Sequence, residues 1–167
     1  KASKFIYLNR TSFNGIYRVN KKGIFNVPYG NKRYKSLFNY DNFKNVSRVL
    51  KDVSIESNDF QNILSNVIPG DLVFLDPPYT VAHNNNHFVK YNQNLFSWND
   101  QIRLSNTIRL LNKKGVKFIL TNACHPSLLD LYNGQYRIIE IKRFSTVGGK
   151  YAKRQSIREL IITNILS

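Results

Sequence analysis

Methionine is absent from this 167-residue chain, and cysteine occurs once, at Cys124. A lone cysteine excludes an internal disulfide framework. With three histidines and no cysteine pair there is no zinc-ligand spacing either, so no metal is expected. No apolar run approaches the roughly 18 to 20 residues needed to cross a bilayer, and no basic-then-apolar leader opens the chain. A soluble, cytoplasmic protein with no membrane partner is expected. Acidic residues are scarce: 10 Asp plus Glu stand against 25 Lys plus Arg, a formal charge of +15. Each phosphate neutralised by a cation releases condensed counterions, so an excess of this size spread along the chain points to a polyanion, nucleic acid first. A ribosomal-type or merely soluble basic protein is the alternative. At 42% hydrophobic the chain is rich enough to bury a core, as one domain or one and a half. The missing methionine and the start at Lys1 are expected of a fragment or a processed piece.

Residues 5–34 are dense in aromatics, Asn, Gly and basic residues. Ile16, Arg18 and Asn20, then Ile24 and Asn26, form two short arms around Lys21-Lys22-Gly23, the turn chemistry of a basic hairpin that would project rather than pack. A weakly amphipathic stretch follows at 42–50, then a short strand candidate at Val53-Ser54-Ile55. A helix is expected over 59–67, where Phe60, Ile63, Leu64 and Val67 recur at helical spacing. After the Pro69-Gly70 turn, residues 71–75 are an apolar run suited to a buried parallel strand. Residues 80–94, with Asn84-Asn85-Asn86, are too polar for core and are expected to form a mobile loop. A helix at 99–111, with Ile102, Ser105, Ile108, Arg109 and Leu110 as its apolar face, leads to a strand at 116–120. A helix at 127–132, a strand at 136–142, a Gly148-Gly149 turn and a strand at 158–163 complete an α/β layout.

The apolar strand ends directly on Asp76-Pro77-Pro78-Tyr79. In an open parallel sheet, ligands bind beyond the carboxyl ends of the strands. The exocyclic amine of adenine is a poor nucleophile because its lone pair is delocalised into the ring. A site that methylates it must favour the pyramidal nitrogen that develops during attack. Asp76 can accept one N–H and the Pro77 carbonyl the other. Consecutive prolines fix φ near −65° and so preset that carbonyl. Tyr79 offers a flat face to an unstacked base, worth about 1 to 3 kcal/mol. The amine is unreachable inside a duplex, so the base must be flipped out. The alternative is that these four residues are only a tight turn.

The segment from Tyr7 through Asn20, YLNRTSFNGIYRVN, continuing over Gly23 to Gly30 as GIFNVPYG, strongly resembles the recognition segment of Dam-type DNA adenine-N6 methyltransferases. Asp76 to Tyr79, the loop 88–91 and the ending 156–164 extend the resemblance over nearly the whole chain. It implies a Rossmann-like methyltransferase sheet, incomplete here, with an inserted helical and β-hairpin target-recognition segment. Residues 1–50 would be that segment, with its DNA-reading hairpin, and 51–167 the catalytic core. It further implies S-adenosylmethionine as donor and N6 of adenine in duplex DNA, within GATC or a close relative, as acceptor. Arg18 matches the arginine that reads a guanine. Ile16 and Pro28 match apolar positions touching nearby bases, and Phe13 with Asn14 the pair that fills or props the stack beside the flipped base. Asn9, Arg10, Lys21, Lys22, Lys32 and Arg33 become candidates for phosphate contacts that position without specifying. Asp59-Phe60 resembles the acidic-aromatic pair beside the donor's adenine, with Asp76 closing the same pocket. Tyr91 resembles an aromatic that covers the target base. Plainer readings stand beside these: solvated surface charge for the lysines and arginines, core for Phe13, a helix cap for Asp59 and an ordinary loop residue for Tyr91.

Whole enzymes of this kind carry an upstream Gly-rich turn that grips the methionine part of the donor, which residues 1–167 lack; Gly148-Gly149 follows no buried strand and cannot replace it. The chain is therefore expected to derive from a longer polypeptide, or to be completed by another subunit. Two alternatives remain: a catalytically silent DNA-binding module, and an RNA adenine methyltransferase favouring unstacked single strands. Restriction protection, repair marking and a phage function are equally compatible, all nucleoid-associated.

Overall fold

The computed structural model describes residues 1–20, 22–31, 38–80, 96–144 and 156–165. Lys21, Lys32, Arg33, Tyr91 with the rest of 81–95, and Gly148-Gly149 lie outside the described residues. The chain forms two compact units, Lys1–Glu56 and Ser57–Ser167.

The first unit opens with a helix, α1 (Ala2–Thr11), which the sequence reading does not foresee. Ala, Lys, Leu and Arg favour it, while its aromatic and Asn content disguises it. The hydroxyl of Thr11 donates back to the Tyr7 carbonyl at 2.8 Å. The helix stops at Ser12, which is extended, and in the 3-10 turn that follows Asn14 and Gly15 adopt left-handed φ values of 53° and 67°. The hairpin then forms as expected: Val19 bridges Phe25 antiparallel, Asn20 N–H donates to the Ile24 carbonyl at 2.9 Å, and Asn26 N–H to the Arg18 carbonyl at 3.2 Å. It packs as well as projects, because the Tyr17 ring lies between Phe5 of α1 at 5.1 Å and Phe25 at 5.7 Å. Ser12 bridges Tyr29, and the chain passes so close at Gly30 that a Cβ there would sit 2.6 Å from the Ser12 carbonyl oxygen. Helix α2 (Tyr40–Val49) starts at Asn39, whose side chain accepts from Asn42 N–H. The strand expected at Val53-Ser54-Ile55 does not form. Val53 is 48% and Ile55 73% exposed, and without a neighbouring strand among the described residues the segment has no ladder to join.

In the second unit the helical stretch expected over 59–67 forms as a 3-10 turn (Phe60–Asn62) that runs directly into one turn of α3 (Ile63–Asn66). Strand β1 (Leu72–Leu75), helix α4 (Trp98–Lys113), strand β2 (Lys117–Ala123), helix α5 (Pro126–Tyr132), and strands β3 (Arg137–Phe144) and β4 (Ser156–Thr163) follow. Their order in the four-stranded sheet is β1-β2-β4-β3. β1 and β2 are parallel, and β4 is antiparallel to both of its neighbours. The last strand therefore inserts, reversed, between two strands that run the same way. This mixed α/β sheet is consistent with a methyltransferase fold.

Local chemistry sets the helix ends. Ser97 and Asp100 form a reciprocal capping box at the start of α4. At its end Val116 N–H reaches back to the Leu111 carbonyl and Gly115 N–H to that of Asn112, both at 3.0 Å. With Gly115 at φ 74° this is a Schellman stop. The core joins Val73, Phe118, Leu120, Leu160 and Ile162 of the sheet to Leu104, Ile108 and Leu111 of α4 and Leu128 and Tyr132 of α5. Two sequence expectations change here. The inward face of α4 is Gln101, Leu104, Thr107, Ile108 and Leu111, whereas Ile102 and Leu110 are 41% and 45% exposed. β1 is buried on one face only, since Leu72 and Phe74 are 61% and 64% exposed; it is an edge strand whose outer face nothing among the described residues of this unit covers.

The hydroxyl of Tyr132 is enclosed with no partner among the described residues, and burial drives its phenol well above the ordinary range. Tyr132→Phe removes a desolvated, unpaired group and is expected to raise the unfolding free energy in urea by about 1 kcal/mol. A loss of stability would mean that the hydroxyl has a bound partner.

Candidate active site

Asp76 follows the last residue of β1, at the carboxyl end of the strand. It lines a cleft of about 440 Å³ together with Asp59, Phe60, Pro77, Pro78 and Arg103. That volume falls within the roughly 300 to 1,000 Å³ of small-molecule sites. Two regions far apart in sequence, the acidic-aromatic pair and the proline turn, thus meet at one opening. Tyr79 is half-buried and packs against the hydrophobic core; it is not among the residues lining the cleft.

The turn is held from behind by a chain of buried amides and a hydroxyl. Thr80 Oγ1 donates to the Phe96 carbonyl at 3.0 Å and accepts from Gln101 Nε2 at 3.1 Å. Gln101 Oε1 accepts from Asn122 Nδ2 at 3.2 Å, and Asn122 Oδ1 accepts from Ala123 N–H at 2.9 Å. Gln101 and Asn122 are fully buried and Thr80 nearly so. Every amide function in the chain has a partner, which offsets the desolvation that burial imposes. The result ties β2, α4 and the residue after the motif into one unit. Gln101 and Asn122 had no role in the sequence reading; the only available signal was a Gln on the inward side of a helix, which polarity masks.

Asp59 caps the 3-10 turn, accepting from Gln61 N–H at 3.0 Å, as the plainer reading expects. It also accepts from Arg103 Nη2, at 2.9 Å to Oδ1 and 2.8 Å to Oδ2. The same nitrogen reaches Gln61 Oε1 at 2.8 Å, and Nη1 reaches Asp100 Oδ1 at 2.8 Å. The guanidinium carbon lies 4.9 Å from the centre of the Phe60 ring, and Phe96 tilts against Phe60 at 5.7 Å. The Arg103 side chain, then the Gln61 N–H, holds the Asp59 carboxyl below the usual carboxylate range, and the two carboxylates raise Arg103 in turn. Asp100 is likewise lowered, first by the Ser97 backbone and hydroxyl, then by Arg103. A carboxylate offers about four acceptor positions. Asp59 therefore keeps capacity for a purine amino group beside an aromatic ring, and these residues fit the adenine of a nucleoside-type cofactor. Arg103 was not foreseen because it lies 44 residues from Asp59.

In the first unit, Arg18 is exposed on the hairpin and held side-on: Nε donates to Asn26 Oδ1 at 3.0 Å and Nη2 to the Asn26 carbonyl at 3.1 Å. A guanidinium has five N–H donors, so the outward edge, with both Nη1 hydrogens, remains for another acceptor. Asn9 donates from Nδ2 to the Gly15 carbonyl at 2.7 Å, tying α1 to the start of the hairpin. Phe13 is 49% exposed, which removes core as its role, and Asn14 beside it has left-handed φ. Arg10, Lys22 and Pro28 are exposed and Ile16 is half-buried.

Among the described residues no cluster of three His, Cys, Asp or Glu could hold a metal ion, and no helix is long and apolar enough to cross a membrane. A family model described as D12 class N6 adenine-specific DNA methyltransferase matches residues 1–147. Over 98% of its length the chain is 39% identical to the Type II methyltransferase M.MjaIII of Methanocaldococcus jannaschii, covering 57% of that protein. It is 36% identical, again over 98% of its length, to the Type II methyltransferase M1.LlaDCHI of Lactococcus lactis subsp. cremoris, of which it covers 58%. A DNA adenine methylase of Haemophilus influenzae is 28% identical over 94% of the chain, which covers 54% of it. The chain thus spans little more than half the length of these relatives.

The buried chain behind the turn generates a stability prediction. Gln101→Leu removes the acceptor of the buried Asn122 Nδ2 and the donor to Thr80 Oγ1, and is expected to cost about 1 to 3 kcal/mol in chemical denaturation. An unchanged unfolding midpoint would show that the chain does not hold the turn.

Proposed function

The chain belongs to the D12 class N6 adenine-specific DNA methyltransferase family, and from that membership we propose that the protein methylates N6 of adenine in duplex DNA, with S-adenosylmethionine as donor. The observation that carries this reading is the meeting of Asp76, Pro77 and Pro78 with Asp59 and Phe60 around one cleft. When bound, S-adenosylmethionine supplies the electrophilic methyl group. Asp59 would accept from its adenine amino group and Phe60 would pack on its ring. Asp76 accepts one N–H of the target amine and the Pro77 carbonyl the other, which favours the pyramidal nitrogen. Asp76 need not act as a strict general base, because the methylated nitrogen sheds its proton easily. Base flipping follows from the amine's inaccessibility inside a duplex.

Residues 1–50 are read as the target-recognition segment and 51–167 as part of a Rossmann-like methyltransferase core. The order β1-β2-β4-β3 supports the latter. Arg18, with its outward edge free, suits a guanine O6 and N7. Ile16 and Pro28 would touch neighbouring bases, Phe13 and Asn14 the gap beside the flipped base, and Tyr91 the base itself. Asn9, Arg10, Lys21, Lys22, Lys32 and Arg33 are assigned to phosphates, Asn9 on the weakest ground since its amide nitrogen already serves Gly15. The proposed target is GATC or a close relative.

Labelled-methyl transfer to a GATC duplex, using the protein with any sequence it carries beyond residues 1–167, tests the reading. Asp76→Ala is expected to abolish transfer while duplex binding persists; retained transfer would remove Asp76 from the chemistry. Duplex binding without any transfer would leave a silent DNA-binding module, and preferential transfer to single-stranded RNA an RNA methyltransferase. Arg18→Ala is expected to cost about 1 to 3 kcal/mol of discrimination at a single guanine. Equal weakening on all sequences would make Arg18 a phosphate contact instead.

A further inference from the structure

Aspartate in a turn ordinarily finds partners nearby, accepting from the N–H groups one to three residues ahead. Asp76 is followed by Pro77 and Pro78, neither of which has an N–H. The double proline that presets the carbonyl thus also strips the carboxylate of its nearest local donors. The torsion that orients a carboxylate plane is broad and roughly two-fold. An aspartate in this setting needs a donor from elsewhere to fix which way its oxygens face.

That donor is on the next strand. The parallel register aligns Leu75 with Leu120, so the residues that follow, Asp76 and Thr121, emerge side by side. By the alternation of side chains along paired strands, they fall on the face shared by Phe74 and Ile119. Thr121 Oγ1 lies 2.5 Å from Asp76 Oδ1 and 3.4 Å from the Leu75 carbonyl. A hydroxyl has one proton to give. The shorter contact is to an anion and falls in the range of charge-assisted O–H···O⁻ bonds, about 2.5 to 2.7 Å, so the hydroxyl donates to the carboxylate. Oδ2 has no other partner among the described residues. Thr121 is itself held in place, paired with Ile161 across the β2–β4 ladder.

We propose that Thr121 is the positioning residue for Asp76: its hydroxyl engages Oδ1 and fixes the carboxylate plane, leaving Oδ2 to accept the N–H of the target amine. This rests on the methyl-transfer reading above. It assigns Thr121 no contact with substrate; its part is to keep the acceptor aimed while the base arrives. Thr121→Val keeps the β-branched shape and deletes the donor, whereas Thr121→Ser keeps the donor and loses the methyl.

Steady-state and single-turnover methyl transfer to a GATC duplex, with the protein as expressed, separates the possibilities. For Thr121→Val, kcat is expected to fall roughly ten- to a hundredfold, the size of a lost hydrogen bond to a charged group. The KM values for duplex and donor should stay within about twofold of wild type. Thr121→Ser should recover most of the rate. Wild-type kcat in Thr121→Val would overturn the assignment, and so would equal losses in Thr121→Val and Thr121→Ser, which would make the role steric. Should the valine variant misfold by thermal melting, Thr121→Ala replaces it under the same criteria. Asp76→Asn, run in parallel, keeps the two levels apart. If Asp76→Asn is inactive while Thr121→Val is unaffected, only the Thr121 assignment fails. If Asp76→Asn transfers at the wild-type rate, the role of Asp76 fails and takes this one with it, whereas no transfer by the wild-type protein would sink the methyl-transfer reading itself.

Discussion

The parallel pairing of β1 with β2 is the constraint on which the site depends. Val73 opposite Phe118 and the half-buried Leu75 opposite Leu120 turn their side chains to one face, and a slip of one residue would turn that apolar set outward. With the register locked, Asp76 must emerge beside Thr121. The next residue of β2, Asn122, must point the other way, toward α4, where it meets Gln101. Two consecutive residues of one strand therefore serve two sides of the same turn. One bonds the carboxylate, and the other closes the buried chain that ends on Thr80. The hydrophobic core, through this register, decides where the Asp76 carboxylate stands.

The polar contacts around the cleft differ in what they contribute. The Asp59–Arg103 pair is half-exposed, with side chains 47% and 39% accessible; solvent and salt screen such a pair, and it adds little to stability. Its effect is geometric. It fixes the carboxylate beside the Phe60 ring and favours its ionised form. The Gln101–Asn122–Thr80 chain is the reverse case. Its bonds are neutral and individually modest, but none of its members can reach water, so breaking one leaves desolvated groups. The exposed pair orients a carboxylate at the cleft, whereas the buried chain holds the backbone that carries the motif.

The first unit applies similar economy to a hairpin. A two-armed β-structure is marginal by itself in water. Here α1 supplies a hydrophobic base through Phe5 and Tyr17, and Asn9 fastens the chain at Gly15. Asn26 does for Arg18 what Arg103 does for Asp59, gripping one edge of a planar ion so that the other faces outward. Long side chains lose considerable rotamer freedom when they bind, and part of that loss has already been taken in the folded hairpin.

The sequence alone determined the elements whose signals are local: the apolar strand at Leu72 to Leu75, the hairpin around Gly23, the helix over 99–111, the last two strands, and the rigid acidic turn at Asp76. It also carried the family, since a long run of unusual residues from Tyr7 to Gly30 is specific without any coordinates. Where periodicity misled, a partner decided. Val53 to Ile55 has strand composition but no ladder to join among the described residues. The inward face of α4 was misjudged because Gln101, a polar residue, is buried there once Asn122 and Thr80 satisfy its amide. The helical stretch at 59–67 was legible from its periodicity and its Asp59 cap, but that its first turn is 3-10 was not. Only the tertiary structure could bring Arg103 to Asp59 and Thr121 to Asp76. Those contacts join residues 44 and 45 positions apart, and they arise from strand register and helix docking, which no local pattern encodes.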